Sequence, residues 1–343
     1  MSLNVLSQLL PDVPYKELQK LIQASEIFRI LQVALQFDLF SLIKESKSLS
    51  VEEIAEKLSI KDFSSFKRLL DILVASGFLV KLNGKYSLTR LSEIYLVKDS
   101  FFHVNELFLL YSKNEDSLTR INTLLLEERK RGSGEDYTYI DEVFIVGHAQ
   151  AALTGSLQKS VNILAELPEF KNAKRMLDLG GGHGLYAIAF AQLNPSLEVV
   201  VFDLPHVIPI TRRYIEAYRM VNRVKVMAGD FNVDNIGEGY DIVFMSDITV
   251  TVELLKKVYK SLNKDGLAIL RRWFINDDEL GPLTSLLFDF KLSLIGSKHR
   301  VLKLKEYEEL FVKANFQLYK VINLVTPEDP AILIIAKKGE ECW

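Results

Sequence analysis

Residues 177–190 read LDLGGGHGLYAIAF, in which glycines separate a short apolar strand from a helix. Glycine lacks a Cβ, so the backbone can turn tightly here and a ligand can approach the N-terminus of the helix. The turn alone does not identify the ligand, because the run G-H-G-L-Y-A from Gly182 also fits the G-x-G-x-x-A form of the dinucleotide fingerprint. The stretch therefore predicts a ligand-binding α/β domain and leaves two classes of cofactor open.

Strand and helix signals alternate along the chain around this turn, as in a sheet built from strand–helix units. Apolar strands are predicted at residues 175–179, 197–203, 223–227, 240–245 and 266–272, followed by 316–324 and 331–338. The last two lie close together without a helix between them, so they are expected to pair antiparallel at one edge. The pattern predicts an α/β fold with a Rossmann-like, largely parallel open sheet, helices on both faces and a C-terminal antiparallel hairpin.

An aspartate closes or follows each of the first four predicted strands, at Asp178, Asp203, Asp230 and Asp247. Ligands of open α/β sheets bind outside the carboxyl ends of the strands, so these carboxylates are expected to line one crevice. They would repel the pyrophosphate of a dinucleotide, which makes a nicotinamide oxidoreductase the weaker alternative. S-Adenosylmethionine carries a sulfonium, an ammonium and a ribose diol, so the charge pattern favours this cationic cofactor.

The N-terminal part of the chain, residues 1–165, is predicted to be mostly helical and to form a domain of its own. Apolar residues recur at three- and four-residue spacing over residues 24–45, which is the period of one buried helix face. A small domain that exposed such apolar helices alone would risk aggregation. We therefore expect the apolar helices at residues 24–43 and 63–80 to mediate a homodimer.

A compact unit inside this part has the signals of a winged helix. Ser50 and Glu53 form the capping box that begins a first helix. A second helix is predicted within residues 63–80 and should end near Gly77. Asn83-Gly84 then marks the tight turn of a β-hairpin. Two helices and a hairpin in this order predict a winged helix.

The composition excludes several classes of protein. Of the 343 residues, 48% are hydrophobic and 25% are charged, as in folded globular chains. The 42 basic and 45 acidic side chains leave a net charge of −3. This balance provides no basic excess for nucleic acid or an anionic membrane. A single cysteine, Cys342, excludes an internal disulfide, and the five histidines are too scattered to predict a metal site. The sequence shows no secretory signal and no apolar stretch of membrane-spanning length, so a cytoplasmic protein is expected.

Four motifs at the predicted strand ends resemble a known family. DLGGGHG (178–184), VVVFDLPHVI (199–208), VMAGDFN (226–232) and YDIVFMSDI (240–248) are similar to successive cofactor motifs of the S-adenosylmethionine-dependent small-molecule O-methyltransferases, of the plant caffeate and bacterial polyketide-tailoring type. The resemblance extends over nearly the whole chain, including the winged-helix region. It implies a class I methyltransferase sheet over residues 166–343, and a winged-helix dimerisation and substrate-lid domain over residues 1–165.

The resemblance assigns two groups of residues to the cofactor, the first around its methionine portion. The backbone at Gly180, Gly181 and Gly182 should cradle this portion, and Ser246 should lie near it. Asp178 belongs to the same motif, although an aspartate at this place also fits a simple cap of the following turn.

The second group should hold the adenosine portion of the cofactor. By the resemblance, Asp203 accepts hydrogen bonds from both ribose hydroxyls and Leu204 lies beside the adenine. Asp230 accepts a hydrogen bond from the adenine amino group, and Phe231 packs on the adenine ring. The expected product is S-adenosylhomocysteine, and no metal is expected to take part.

The sequence departs from the family where the catalytic base is usually found. Plant-type members follow the fourth strand with a histidine that deprotonates the acceptor, but residues 241–257 contain none, and Val250 falls near its place. The catalytic base is therefore unknown, and the candidates are His148, His299 and Asp247. Each histidine also fits a solvated or hydrogen-bonded role without catalysis, and Asp247 also fits a role in cofactor binding. Methyl transfer depends mainly on in-line positioning, so an acidic phenol or a carbon nucleophile needs little help from a base.

The expected function is O-methylation of a small, aromatic or quinone-like hydroxylated acceptor, and C-methylation without the usual histidine is the alternative within the family. A metabolite-sensing winged-helix regulator that binds DNA is the alternative from another class. Residues 50–95 contain seven basic and six acidic side chains, and the second predicted helix is mostly apolar. This composition favours burial of that helix in a subunit interface over insertion into a major groove.

Overall fold

The computed structural model describes residues 15–119, 121–126, 140–294, 300–326 and 329–339. Contacts within the chain divide it into two compact units, Met1–Asn105 and Glu106–Trp343. No helix in the described ranges is long and apolar enough to cross a lipid bilayer. The domain boundary expected near residue 165 stays a prediction, and Cys342 lies outside the described residues.

The first unit is built from short helices around a small sheet. Its described elements are α1 (Lys16–Gln36), α2 (Leu39–Ser46), β1 (Leu49–Ser50), α3 (Val51–Lys57), α4 (Phe63–Ala75), β2 (Leu79–Leu82), β3 (Lys85–Leu88) and α5 (Arg90–Tyr95). The strands form an antiparallel sheet in the order β1-β3-β2. The two helices and hairpin predicted for a winged helix are confirmed, and β1 adds a third strand that the sequence analysis did not include.

Local hydrogen bonds and turn geometry explain why these elements begin and end where they do. Ser50 Oγ accepts from Glu53 N at 3.2 Å, and Glu53 Oε2 accepts from Ser50 N at 2.7 Å, which completes the predicted capping box of α3. Gly77 follows α4 with φ of 80°, in the left-handed region that ends many helices. Asn83 and Gly84 have φ of 50° and 77°, as the tight turn between β2 and β3 requires.

The prediction of a single helix over residues 24–45 was wrong, because the helix breaks between α1 and α2. Asp38 has a left-handed φ of 53°, which a short polar side chain tolerates better than most, and its carboxylate accepts from Lys98 Nζ at 2.9 Å. Leu39 and Phe40, directly after the break, are fully buried. The apolar spacing continues across the break, so periodicity alone did not reveal it.

The second unit contains the seven strands predicted for the main sheet. Its strands are β4 (Arg175–Leu179), β5 (Glu198–Asp203), β6 (Val224–Ala228), β7 (Tyr240–Ser246), β8 (Leu262–Trp273), β9 (Phe316–Asn323) and β10 (Ala331–Lys338). Its described helices, of which the first begins at the boundary, are α6 (Asn105–Thr119), α7 (Ile121–Leu126), α8 (Glu142–Ala151), α9 (Leu157–Ala165), α10 (Pro168–Asn172), α11 (Leu185–Leu193), α12 (Ile208–Ala217), α13 (Val252–Ser261), α14 (Leu283–Leu294) and α15 (Leu304–Lys313). A π-helical turn, Ala152–Ser156, joins α8 to α9.

The order of the strands is β6-β5-β4-β7-β8-β10-β9. The first five are parallel, whereas β10 pairs antiparallel with both β8 and β9. The parallel sheet with a C-terminal antiparallel hairpin at one edge is therefore confirmed. The order reverses between β4 and β7, and a crevice for ligands opens at such a switch point outside the carboxyl ends of the strands.

The sheet is covered on both faces, because successive side chains of a buried strand point to opposite sides. Met176 of β4 belongs to one apolar cluster, together with buried residues of α9 and α11. Leu177 and Leu179 belong to a second cluster, together with residues of α13 and α15. Asp178 shares the face of Met176, so its carboxyl group lies on the interior side of the carboxyl end of β4.

Candidate active site

The loop between β4 and α11 can form only because of its glycines. Gly180 has φ of 69°, and its N donates to Phe202 O of the neighbouring strand at 2.8 Å. A Cβ on Gly180 would collide with the Cγ2 atom of Ile248. A Cβ on Gly181 would lie 2.6 Å from Asp178 Oδ2. The loop thus presents bare backbone at the carboxyl end of β4, as a closely held ligand requires.

Asp203, the last residue of β5, ties this loop to the next one. Its Oδ2 accepts from Gly182 N at 2.7 Å, and its Oδ1 accepts from Leu204 N at 2.7 Å. Thr211 Oγ1 on α12 donates to Gly182 O at 2.6 Å and holds the loop from the other side. Each carboxylate oxygen has two lone pairs, so Asp203 can still accept hydrogen bonds from a ligand.

Asp178 and Asp203 form a pair of carboxylates without a Lys or Arg ion pair among the described residues. Asp178 is buried, and neither of its oxygens has a hydrogen-bond partner there. Burial, followed by the nearby charge of Asp203, raises the pKa of Asp178 to about 7, although the N–H of Ala187, too poorly aligned for a normal hydrogen bond, acts in the opposite direction. Burial also raises the pKa of Asp203. Because a buried carboxylate is costly unless it is paired, this end of the crevice suits a cation.

The turn after β6 approaches the same loop. Gly229 N donates to Asp203 O at 2.9 Å, which joins this turn to the end of β5. Asp230 Oδ1 accepts from Asn232 N at 2.9 Å and so shapes the turn. The ring of Phe231 comes within 3.5 Å of the point where a Cβ on Gly180 would lie. An aromatic face and a carboxylate therefore lie beside the glycine loop.

The carboxylate after β7, Asp247, has a cation of its own. Its Oδ2 accepts from Ser246 Oγ at 3.1 Å and from Arg271 Nη1 at 2.6 Å. Arg271 Nη2 also contacts both oxygens of Asp329 at 2.6 Å, and the Arg271 side chain is only 4% exposed. Burial opposes the charge of the guanidinium, but the two carboxylates outweigh it and raise the pKa of Arg271.

Helix α8, which carries His148, lies against the glycine loop. Ile145, one turn earlier, reaches within 3.7 Å of the Cβ position of Gly182. The His148 side chain is accessible to solvent at its edge, but surrounding protein atoms partly desolvate it and lower its pKa. The Phe144 carbonyl and Asp247 act on this pKa in the opposite direction. The Nδ1 atom of His148 is 2.7 Å from Phe144 O. Among the three predicted base candidates, His148 and Asp247 therefore share the crevice.

The other histidines of this region differ from His148 in position or bonding. His183, inside the glycine loop, is buried, and its Nδ1 accepts from Leu185 N at 3.0 Å. Burial, followed by the charge of His148, lowers the pKa of His183 to about 3. His206 is exposed, with Nε2 at 3.1 Å from Ile140 O. His299, the remaining predicted candidate, lies outside the described residues.

Sequence reasoning missed two cations that organise the site. Arg271 was overlooked, although a charged residue inside the apolar strand 266–272 was a visible signal. Lys257 on α13 donates to Phe231 O at 2.7 Å and to Asp234 O at 2.9 Å, and nothing in its sequence context marked it. Within the described ranges, no group of three His, Cys, Asp or Glu side chains is arranged to hold a metal ion.

Comparison with known proteins gives two family matches. Residues 136–317 match the O-methyltransferase domain, and residues 19–98 match the O-methyltransferase dimerisation domain. An uncharacterised protein of Methanocaldococcus jannaschii is 34% identical over 278 residues, which are 78% of this chain and 73% of the relative. The L-tyrosine C(3)-methyltransferase of Streptomyces lavendulae is 27% identical, and the alignment covers 84% of this chain and 83% of the relative.

Solved structures share the fold. An O-methyltransferase family protein from Burkholderia thailandensis superposes with a TM-score of 0.80 at 21% identity, over 96% of this chain and 100% of the other. Human N-acetylserotonin methyltransferase, solved in complex with S-adenosylmethionine, also superposes with a TM-score of 0.80 at 21% identity. The superposition covers 96% of this chain and 99% of the human chain. Both alignments span the two units of the chain.

Proposed function

The chain belongs to the O-methyltransferase family, and we propose that it methylates a hydroxyl group of a small aromatic or quinone-like acceptor. Membership of the family makes it an S-adenosylmethionine-dependent methyltransferase. The observation that carries the proposal is the pair Asp178 and Asp203, two carboxylates beside a glycine loop with no Lys or Arg paired to either in the described residues. The family match also favours an enzyme over the DNA-binding regulator considered from the sequence.

The residues of the crevice fit S-adenosylmethionine better than a dinucleotide. The unpartnered carboxyl group of Asp178 would be compensated by a positively charged ligand. The lone pairs that Asp203 leaves open suit the hydroxyls of a ribose. A pyrophosphate next to these two carboxylates would instead be repelled. The fit rests on charge and on hydrogen-bonding capacity at the same few atoms.

The same crevice divides into an adenosine side and a methionine side. On the adenosine side we assign Asp203 to the ribose, Asp230 to the adenine amino group, and Phe231 and Leu204 to the adenine ring. On the methionine side we assign the backbone of Gly180, Gly181 and Gly182, together with Asp178 and Ser246. When bound, S-adenosylmethionine supplies a methyl group on a positively charged sulfur.

The chain's own residues orient the reactants and exclude water. Ile145 lies over Gly182, and Ile248 lies against Gly180, so apolar side chains shield the loop from solvent. Proximity and orientation account for a large part of the acceleration of a displacement reaction. Holding the acceptor oxygen in line with the transferred methyl is therefore the main task we assign to this crevice.

The names of similar proteins support an aromatic acceptor. The relative from Streptomyces lavendulae is named for L-tyrosine, and the human structure is named for N-acetylserotonin. Both compounds carry a hydroxylated aromatic ring. We propose a hydroxylated aromatic acceptor for this chain as well, but we assign neither of these two compounds to it.

C-methylation is the second candidate function. Residues 241–257 lack the histidine expected of a phenol-deprotonating member, and one relative is named as a C-methyltransferase. A ring carbon activated by an adjacent hydroxyl can attack a methyl group without complete deprotonation of that hydroxyl. Both candidates use the same cofactor crevice, so they differ only in the atom that receives the methyl.

One experiment separates these outcomes. The protein is incubated with S-adenosylmethionine carrying a carbon-13 methyl group, in the presence of catechol, 1-naphthol, tyrosine and 3,4-dihydroxybenzoate, and the products are read by NMR. A methoxy signal supports the primary proposal, and a methyl signal on a ring carbon supports the second. If none of the four yields S-adenosylhomocysteine above the acceptor-free control, the proposed acceptor class is contradicted.

We also propose a homodimer formed through the first unit. Residues 19–98 match the dimerisation domain, and α1 exposes Leu18, Leu21 and Ile22 by 59%, 68% and 51%. Apolar side chains in such a row on one helix are typical of a protein interface. Sedimentation equilibrium should give the mass of a dimer at micromolar concentration, and a stable monomer would contradict the proposal.

A further inference from the structure

The hydrogen bond of His148 determines which of its ring nitrogens carries a proton. Nδ1 lies 2.7 Å from Phe144 O, and a carbonyl oxygen can only accept. Nδ1 must therefore be the protonated nitrogen, and in the neutral imidazole Nε2 is left with a lone pair. The His148 side chain is exposed, so Nε2 can be reached by solvent or by a ligand.

The surroundings of α8 place the His148 side chain beside the crevice. Gly147 faces α6, since a Cβ there would lie 3.2 Å from Glu106 O, and Ile145 faces the glycine loop. His148 follows Gly147 and is coupled electrostatically to both His183 and Asp247, which lie at the carboxyl ends of β4 and β7. Its ring therefore lies near the methionine side of the assigned cofactor site.

The Nδ1 atom of His183 accepts a hydrogen bond, whereas the Nδ1 atom of His148 donates one. The Nδ1 atom of His183 accepts from Leu185 N at 3.0 Å, so the proton of the neutral ring lies on Nε2, which can only donate. Burial lowers its pKa to about 3, which leaves it neutral at physiological pH. His206 has Nε2 bonded to Ile140 O and is exposed on a separate depression of about 580 Å³ next to Arg213. Neither residue offers a proton-accepting nitrogen to the reacting end.

We propose that His148 is the general base of the methyl transfer, in place of the histidine that residues 241–257 lack. The inference rests on the proposed function, because it requires a hydroxylated acceptor in this crevice. The acceptor O–H bond breaks and its proton passes to Nε2, while an electron pair of the oxygen forms the new O–CH3 bond as the bond between sulfur and methyl breaks. S-Adenosylhomocysteine leaves, and the imidazolium returns its proton to water.

The charges around His148 are compatible with this role. The charged or titratable groups on the elements packed around α8 include Glu106, Glu142, His183, His206, Arg213 and Asp247. Arg213 pairs with Glu142 at 2.5 Å, and Glu106 accepts from Gln150, so these charges are already engaged. Asp247 favours the imidazolium that forms during proton transfer, whereas burial keeps the resting ring neutral.

The first test reads the protonation of the ring without any acceptor. Nitrogen-15 NMR of the histidine side chains is recorded on the protein saturated with S-adenosylhomocysteine, and the His148 signals are assigned by their loss in His148→Asn. We expect a proton on Nδ1, a bare Nε2 and a pKa below 6.5, the ordinary value. A proton on Nε2, or a pKa above the ordinary value, overturns the proposal even if cofactor binding is normal.

The second test measures turnover with whichever of the four acceptors named above reacts fastest. Asparagine at position 148 can still donate to Phe144 O but offers no proton-accepting nitrogen, so kcat should fall about 100-fold, as when a general base is lost. The acidic limb of the wild-type pH profile should disappear with it. His206→Asn is the matched control and should retain wild-type turnover.

The two proposals fail in different ways. If His148→Asn keeps more than half of the wild-type kcat while it binds S-adenosylhomocysteine normally, the base assignment is wrong and the enzyme assignment stands. If the wild-type protein does not bind S-adenosylhomocysteine, the proposed cofactor site itself is wrong. The effect of His148→Asn should also shrink as the acceptor phenol becomes more acidic, because such a phenol needs less help from a base.

Discussion

Two pairs of aspartates lie at the carboxyl edge of the same sheet, and they differ in whether the protein supplies their counter-charge. Asp247 and Asp329 share the buried guanidinium of Arg271, at 2.6 Å from each. Asp178 and Asp203 have no such partner in the described residues, and both have raised pKa values. The fold therefore completes one pair by itself and leaves the other to a ligand.

The contrast between these pairs separates structural carboxylates from ligand-binding ones. A carboxylate pair that holds its own cation is part of the architecture, and removing the cation should damage the fold. A pair without one is unfavourable in the free protein and becomes favourable when a cation arrives.

Removing the shared cation should produce the largest loss of stability. Arg271→Met leaves Asp329, whose side chain is 17% exposed, without its counter-charge. We expect the free energy of unfolding, measured in urea, to fall by about 3–5 kcal/mol, the usual cost of breaking a buried ion pair. Adding Asp329→Asn should recover part of the loss, because it removes the stranded charge.

The control for this variant is an ion pair of similar length on the surface. Arg213 and Glu142 lie 2.5 Å apart with side chains 58% and 62% exposed, so Arg213→Met should cost less than about 1 kcal/mol. If Arg271→Met costs no more than this control, the buried ion pairs are not the structural element described here.

The unpaired aspartates should make the ligand-free protein sensitive to pH. Asp178 has a folded pKa of about 7 against an ordinary value of 3.8, so the folded state holds its proton more tightly than the unfolded state does. Its contribution to stability is fully present below the unfolded pKa and is lost as pH rises through the folded pKa. Between about pH 4 and pH 7 the free energy of unfolding should fall, by about 4 kcal/mol at most.

Urea unfolding of wild type and Asp178→Asn across this pH range measures the effect. The variant should lose most of the downward slope, because asparagine does not titrate. Saturating S-adenosylmethionine should also reduce the slope in the wild type, since a cationic ligand stabilises the ionised carboxylate. Equal slopes in wild type and variant would show that Asp178 is not the group responsible.

Asp203→Ala should mainly affect cofactor affinity. It removes the acceptor assigned to the ribose and the two bonds, each 2.7 Å, that hold Gly182 and Leu204. Calorimetry with S-adenosylhomocysteine should show a loss of about 1.5–3 kcal/mol, the scale of a charged hydrogen bond. Asp265→Asn, at an exposed position near the start of β8, is the control. If Asp203→Ala binds as tightly as this control, Asp203 does not belong to the cofactor site.

The smallest effect is expected far from either pair. Ser50→Ala removes the capping box of α3 and should lower the free energy of unfolding by about 1 kcal/mol. Cofactor affinity should stay at the wild-type value, because Ser50 belongs to the first compact unit. Ser64→Ala, at an exposed position in the first turn of α4, should change neither quantity, and a changed affinity in Ser50→Ala would argue that this unit shapes the cofactor site.

The sequence predicted the parts of the molecule that depend on local signals. The strand limits agree within about two residues at most ends, because strand–turn–helix units repeat with strong apolar runs. Strand β8 is the exception, since it begins at Leu262, four residues before the predicted start, and the intervening residues are polar. The glycine loop and the aspartates at the strand ends were also visible, since each depends on residues adjacent in sequence.

The remainder depends on contacts between distant parts of the chain. Arg271 and Asp329 are 58 residues apart, and their pairing with Asp247 follows from the order of strands in the sheet. The helix break at Asp38 depends on packing that the apolar period does not encode. The place of His148 beside the glycine loop depends on the path of α8 through the fold. Spacing in the sequence indicates none of these three features.

The most direct test of the central claim is the selectivity of the wild-type crevice for its ligand. Isothermal titration calorimetry at neutral pH compares S-adenosylmethionine, S-adenosylhomocysteine and NAD on the same preparation. The uncompensated pair Asp178 and Asp203 predicts that both adenosyl compounds bind and that NAD produces no binding heat. Binding of NAD at comparable affinity, or no binding of S-adenosylmethionine, would contradict the account.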